Sequence, residues 1–259
     1  MKIIHVSDRH YGQPGATTAN SLLNNAIAAR PDIADCIIVD TGDVVDTPDE
    51  SVYRTATSAL AQLADRCADM VMVPGNHDLN VMGITPHPTA HIRWGSHVER
   101  LTSLCRSYPF ITLAGGIAII AVDSNRPPRG AHRLTQNFTA TGYIGRDQIE
   151  DVVELVRYTK SRGLPVIVAM HHCPSGGDAL LRLHDRDAFG EALADAGGVD
   201  LILTGHLHQR CEWSDVFGAR YLLSSPKSPS ARGYRVIWWE EGIGRFRWEW
   251  VHVKEKARL

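Results

Sequence analysis

Cys36-Ile37-Ile38-Val39-Asp40-Thr41-Gly42-Asp43-Val44-Val45-Asp46 decides how this 259-residue chain is read. The apolar run from Cys36 to Val39 predicts a buried strand. It ends in Thr41-Gly42-Asp43, where Gly42 permits a tight turn and lets backbone approach whatever Asp43 holds. A carboxylate at the tip of a buried strand is costly unless it is paired or bound to metal. Four other apolar runs end in residues of the metal-ligand type: Asp8-Arg9-His10, Gly75-Asn76-His77-Asp78, His171-His172 and Gly205-His206-Leu207-His208. In sheets of this kind ligands gather beyond the carboxyl ends of the strands, on loops held by a rigid scaffold. The expectation is that all of these patches converge on Asp43.

Bulk properties narrow the class. Hydrophobic residues make up 44% of the chain and charged residues 22%, as in an ordinary globular protein able to bury a core. Lys+Arg number 27 against Asp+Glu 29, for a net charge of −2, which argues against an extended nucleic-acid or anionic-membrane surface. The five cysteines lack CxxC spacing and read as free thiols of a reducing compartment; Cys173, beside a histidine pair, reads as a packed thiol. Met1 to Asp8 meets charge early and has no signal-peptide core, and no apolar run approaches the roughly 20 residues needed to span a bilayer. A cytoplasmic protein is expected.

No repeat or linker divides the chain, so one domain over 1–259 is expected. Apolar spacing predicts helices over Ala19–Arg30, Gly95–Arg106, Arg146–Arg162 and Asp187–Ala196. Thr47-Pro48-Asp49-Glu50 reads as a capping box, with Thr47 the N-cap of a further helix. Phe110–Leu113 and Ile117–Val122 predict a hairpin across Ala114-Gly115-Gly116. Residues 79–107 form the least regular stretch and read as a lid or insertion. Residues 219–259 read as a C-terminal β-meander whose Trp238, Trp239, Trp248 and Trp250 pack the sheet. Early crossovers and late hairpins together predict an α/β (α+β) fold, a four-layer αββα sandwich of two mixed sheets flanked by helices.

The ordered set Asp-x-His, Gly-Asp-x-x-Asp, Gly-Asn-His-Asp, His and Gly-His-x-His resembles the calcineurin-like metallophosphoesterase superfamily, from Lys2 to about Gln209. Within it the chain is most similar to the class III cyclic nucleotide phosphodiesterases. The resemblance implies two metal ions. Asp8, His10 and His208 would hold the first; Asn76, His171 and His206 the second; Asp43 would bridge them. His171, which directly ends its strand, is preferred to His172. His77 would be the acid beside the substrate, with Asp78 orienting it. Asp46 would tie loops together.

Independently, the mix of imidazole, carboxylate and amide oxygen suits manganese, iron or zinc better than Mg or Ca. Two divalent ions bring four positive charges; Asp8, Asp43 and a bridging hydroxide remove three. The remainder matches a phosphodiester monoanion, and the neutral Asn76 preserves it. The expected reaction is in-line attack by a metal-bridging hydroxide, with His77 helping the leaving group. A small-molecule phosphodiesterase, acting on substrates such as cyclic nucleotides, is one reading. A phosphomonoesterase, protein phosphatase or nuclease is the alternative. A non-catalytic scaffold would need missing ligands, and none is missing. Asn76 and His77 are also expected to touch substrate, with Arg126 and His132 from the loop after Asp123, and Tyr11 and Gly12 to border the pocket. A homodimer is allowed.

Overall fold

The computed structural model describes residues 1–102, 107–126, 140–178 and 181–254. Its first half runs β1 (Lys2–Val6), α1 (Ala16–Ala28), β2 (Cys36–Asp40), α2 (Glu50–Ala64) and β3 (Asp69–Met72). Four short elements come next: α3 (Asn76–Leu79), β4 (Asn80–Val81), β5 (Thr85–Pro86) and α4 (Ala90–Glu99). The second half runs β6 (Phe110–Ala114), β7 (Ile117–Ala121), α5 (Arg146–Lys160), β8 (Val166–Ala169), α6 (Arg186–Asp195) and β9 (Leu201–Thr204). The last strands are β10 (Cys211–Val216), β11 (Ala219–Ser224), β12 (Gly233–Glu240) and β13 (Arg245–His252).

The strands form two mixed sheets, ordered β13-β12-β1-β2-β3 and β10-β11-β9-β8-β7-β6. Alternation along each strand sorts side chains between layers. Ile3, Ile37 and Val39 point between the sheets, where they meet Ile119, Ile167 and Leu203. Ile4 and Ile38 point the other way, under Leu23, Ile27 and Leu60 of α1 and α2. On the far side Val166 and Val168 pack against Val152, Val156, Phe189 and Leu193 of α5 and α6. Helix, sheet, sheet and helix are therefore stacked in the order the patterning predicts. Each fully buried aliphatic side chain contributes ~1.5–3 kcal/mol. β1, β2 and β3 are parallel in one sheet, and β7, β8 and β9 in the other, so the carboxyl ends that carry the polar patches lie together.

Some elements differ from expectation. α2 begins at Glu50 with Asp49 as its N-cap, because the Thr47 hydroxyl is used on the Asp49 carboxylate at 2.8 Å. α4 lies earlier than Gly95–Arg106, since burial of Ala90, Trp94, His97 and Val98 sets its inner face; 103–106 are outside the described residues. The tail is not one meander. β11 pairs with β10 and β9 in the second sheet, whereas β12 pairs with β1 and β13 in the first. Residues 225–232 cross from one sheet to the other.

Candidate metal centre

The five polar patches meet. Asp43 stands between two groups, its Oδ2 3.6 Å from His10 Nε2 and 3.4 Å from His171 Nε2. On the first side, His208 Nε2 lies 3.2 Å from Asp8 Oδ1 and 3.3 Å from His10 Nε2. On the second, Asn76 Oδ1 lies 3.0 Å from both His171 Nε2 and His206 Nδ1. Asp8, His10, Asp43 and His208 form one group able to hold a cation; Asp43, His171 and His206 form another.

The donor chemistry fits cations. His171 Nδ1 donates to the Thr41 carbonyl at 2.7 Å, so Nε2 is the nitrogen turned toward Asp43 and Asn76. His10 Nδ1 faces Asp46 Oδ1 at 3.1 Å, which likewise leaves its Nε2 turned toward Asp43. Asn76 donates its amide to the Gly83 carbonyl at 3.0 Å, which turns Oδ1 inward. Acceptor atoms thus crowd around Asp43, an arrangement that repels unless positive charge, a proton on His171 or a cation in its place, lies between them.

Ionisation follows the same crowding. Burial opposes charge on Asp43, but the facing His171 imidazole outweighs it and holds the carboxyl well below the usual range. Burial likewise opposes charge on Asp8, and His208 reverses it, leaving that carboxyl lowered. Burial works against the His171 proton, yet Asp43 pulls its pKa up to about 9. Burial and the charge of His171 push His206 down to about 3, and burial lowers His10.

Backbone strain gathers around the cluster. Asp8, His10, Asp43, His206 and His208 all have positive φ, between 44° and 68°. Non-glycine residues held in left-handed backbone cost about 1–3 kcal/mol each and cluster at functional sites. Turn-to-turn bonds sustain it: His10 N–H donates to Asp43 O at 2.9 Å, Asp8 N–H to Gly42 O at 2.9 Å, and His206 N–H to Asp8 Oδ1 at 3.2 Å. Gly42 and Gly75 admit no side chain. A Cβ on Gly42 would come 2.9 Å from His171 Nδ1, and one on Gly75 would overlap the Asp43 carboxylate.

Two supporting roles are exchanged relative to expectation. Asp78 does not orient the His77 ring. Its carboxylate accepts the N–H groups of Asp43, Val45 and Gly75 at 2.9, 3.0 and 2.7 Å, and so locks the central turn. Burial and the nearby Asp43 charge raise its pKa well above the usual value. The His77 ring is held by Asp46, whose backbone carbonyl accepts from Nδ1 at 2.9 Å. Asp46 therefore braces both His10 and His77. Below Asp8, the buried Arg9 donates to Asp40 at 2.5 Å and to Asn20 and Asn24, a network that sequence reasoning missed.

His172 packs on the cluster without joining its donors: its ring lies 4.5 Å from that of His206, and its Nδ1 is 2.8 Å from Ser124 Oγ. Arg126 donates to the Tyr108 carbonyl at 2.9 Å and lines a cavity of about 360 Å³ beside Tyr143 and Gly145, with none of the cluster residues in its wall. His132 lies outside the described residues. Tyr11 does not border the pocket; its ring is buried in the core beneath α1 and α2, with its hydroxyl on Asn24 at 3.3 Å. His97 is core as well, packed on Tyr53 and Trp94. Cys173 is a buried free thiol, raised to about 11 by burial.

A family model described as calcineurin-like phosphoesterase matches residues 1–210. A curated protein of Bos taurus, the transmembrane protein with metallophosphoesterase domain, is 28% identical over 209 residues. That match covers 80% of this chain but 40% of the bovine protein. No helix among the described residues is long and apolar enough to cross a membrane. In structure the chain is similar to a dimetal phosphatase from Danio rerio, with a TM-score of 0.69 at 14% identity over 98% of this chain and 99% of that one. It is also similar to a purple acid phosphatase of yellow lupin, with a TM-score of 0.59 at 10% identity over 92% of this chain and 49% of that one. At such identities the likeness is one of fold.

Proposed function

The chain belongs to the calcineurin-like phosphoesterase family, and on that premise we propose that it hydrolyses phosphodiesters at two metal ions. Asp8, His10 and His208 would hold one ion and Asn76, His171 and His206 the other, with Asp43 common to both. The observation that carries this reading is the place of Asp43 Oδ2, within 3.6 Å of an imidazole Nε2 on either side. Manganese, iron and zinc are the ions such a donor set favours.

When bound, such ions supply Lewis acidity and a water acidic enough to ionise near neutral pH. The chain supplies the rest. Asp46 and Thr41 hold the Nδ1 atoms of His10 and His171, so each ring keeps Nε2 turned toward Asp43, where a cation would replace a proton. Asp78 fixes the turn that carries Asp43. His77 anchors Nδ1 on Asp46 and leaves Nε2 for a phosphoryl or leaving-group oxygen. A proton on that nitrogen stabilises charge as the ester bond breaks. The neutral amide of Asn76 adds no negative charge to the site, which with divalent ions would stay net positive and suit an anionic diester, cyclic nucleotides among them.

The test is a side-by-side assay of Mn-loaded protein on bis-p-nitrophenyl phosphate, p-nitrophenyl phosphate and cyclic nucleotides. Diester turnover above monoester turnover is expected. Monoester turnover far in excess would assign the site to a phosphomonoesterase instead.

A further inference from the structure

The loop between β11 and β12 crosses between the sheets directly beside the cluster. Ser7, the neighbour of Asp8, donates its N–H to Ser228 Oγ at 3.1 Å, and Ser228 N–H returns a bond to Ser7 O at 3.1 Å. Ser225 N–H donates to Thr204 O at 2.9 Å, at the strand end that carries His206 and His208. Ser225 and Ser228 are both fully buried. The loop is thus fastened to two of the strand ends that carry the cluster, and Lys227 lies between its fastening points. This segment falls outside the region matched by the family model.

Lys227 Nζ lies 3.4 Å from Gln13 Oε1. Gln13 in turn donates to Asp46 Oδ1 at 2.7 Å, the oxygen that faces His10 Nδ1. The ammonium is therefore held on the His10 flank of the site. Its hydrogen-bond partner is a neutral amide, and among the described residues it makes no ion pair. A half-buried ammonium beside a neutral partner keeps two donors and a full charge for an anion. Its backbone is fixed by buried bonds, so little ordering is needed on binding.

We propose that Lys227 is a specificity-determining residue for a second anionic group of the substrate, such as a further phosphate beyond the one that is cleaved. The inference rests on the hydrolase reading of the metal centre. It narrows the substrate class to phosphoesters with at least two anionic groups, the second bound on the His10 side of that centre.

Thymidine 3′-(p-nitrophenyl phosphate), with and without a 5′-phosphate, gives substrates that share a scissile bond and differ in the second anion. Wild-type protein is expected to prefer the 5′-phosphorylated compound about tenfold in kcat/KM, through KM, the scale of one charge-assisted hydrogen bond. Lys227→Met should remove most of that preference while Lys227→Arg keeps it, with metal content unchanged in both. Calorimetric binding of thymidine 3′,5′-bisphosphate against thymidine 3′-phosphate to the Mn-loaded protein should show the same preference and the same loss. No preference in the wild type, or an equal loss for both compounds in Lys227→Met, would overturn the inference and leave Lys227 as a brace for Gln13 and Asp46. Absence of turnover on either ester would contradict the hydrolase reading alone, since the binding measurement still decides the role of Lys227.

Discussion

On one side of Asp43 stand Asn76, His171 and His206, at 4%, 0% and 7% exposure, enclosed by strand ends. On the other stand Asp8 and His10, also buried, with His208, whose side chain is 40% exposed. The inner half is held by backbone: His171 leans on the Thr41 carbonyl and Asn76 on the Gly83 carbonyl. The outer half is held by side chains: His10 leans on Asp46, which leans on Gln13 and through it meets Lys227. The inner half is therefore closed in by the fold, whereas the outer half borders solvent at His208. On the proposed reading, the enclosed half would retain its ion more firmly and the open half would be the one to meet substrate.

Removing the group common to both halves has the largest effect. Asp43→Ala should lose both ions and lower kcat by at least ~10²–10³, the scale of one electrostatic group at a transition state. Metal analysis that still finds two ions would break the link between the halves. His77→Ala should lower kcat by about 10²–10⁴ at near-normal metal content, because it handles a proton and is not among the proposed ligands. An unchanged rate would remove it from the mechanism. Asp78→Ala leaves the N–H groups of Asp43, Val45 and Gly75 without their acceptor, at about 1–3 kcal/mol for each buried donor. A urea midpoint equal to that of the wild type would contradict its role as a lock. Asp46→Asn should weaken the outer ion by ~10–100-fold and leave the inner one in place. Equal weakening of both would erase the distinction between the halves.

A further prediction, away from the metal centre, separates loss of fold from loss of site. His97 is buried on α4, packed on Trp94, and burial lowers its pKa to about 3. Its folded pKa lies below the unfolded value near 6.5, so its contribution is complete above pH ~6.5. As pH falls from there toward 3 the unfolded chain takes up the proton first, and stability drops by up to ~1.4 kcal/mol per pH unit. His97→Leu should flatten that part of the stability profile. An unaltered slope would place the acid sensitivity elsewhere.

The inner half was the more legible in sequence. Val166-Ile167-Val168-Ala169 ahead of His171, Leu201-Ile202-Leu203-Thr204 ahead of His206 and Met70-Val71-Met72 ahead of Asn76 each declare a buried strand. A strand buried on both faces has one place in a sheet, and it fixes the residues at its tip. The outer half was legible in its ligands and not in its supports. Asp46 and Asp78 are both carboxylates after a turn, and nothing in their spacing tells which one faces His77 and which one collects backbone N–H groups. Positive φ at Asp8, His10, Asp43, His206 and His208 has no signature in side chains that are not glycine. β10 was missed because an edge strand with half its residues in solvent, Cys211-Glu212-Trp213-Ser214-Asp215-Val216, carries no continuous apolar run. The split of the tail between sheets, which brings Lys227 to the site, depends on pairing between strands far apart in the chain, and local pattern does not encode that.

The central claim is that two ions share Asp43. Low-temperature electron paramagnetic resonance of the protein loaded with Mn(II), taken with its metal content, tests it most directly. The account predicts two ions per chain and the spectrum of an exchange-coupled pair. One ion per chain, or two that give the spectrum of isolated Mn(II), would contradict it.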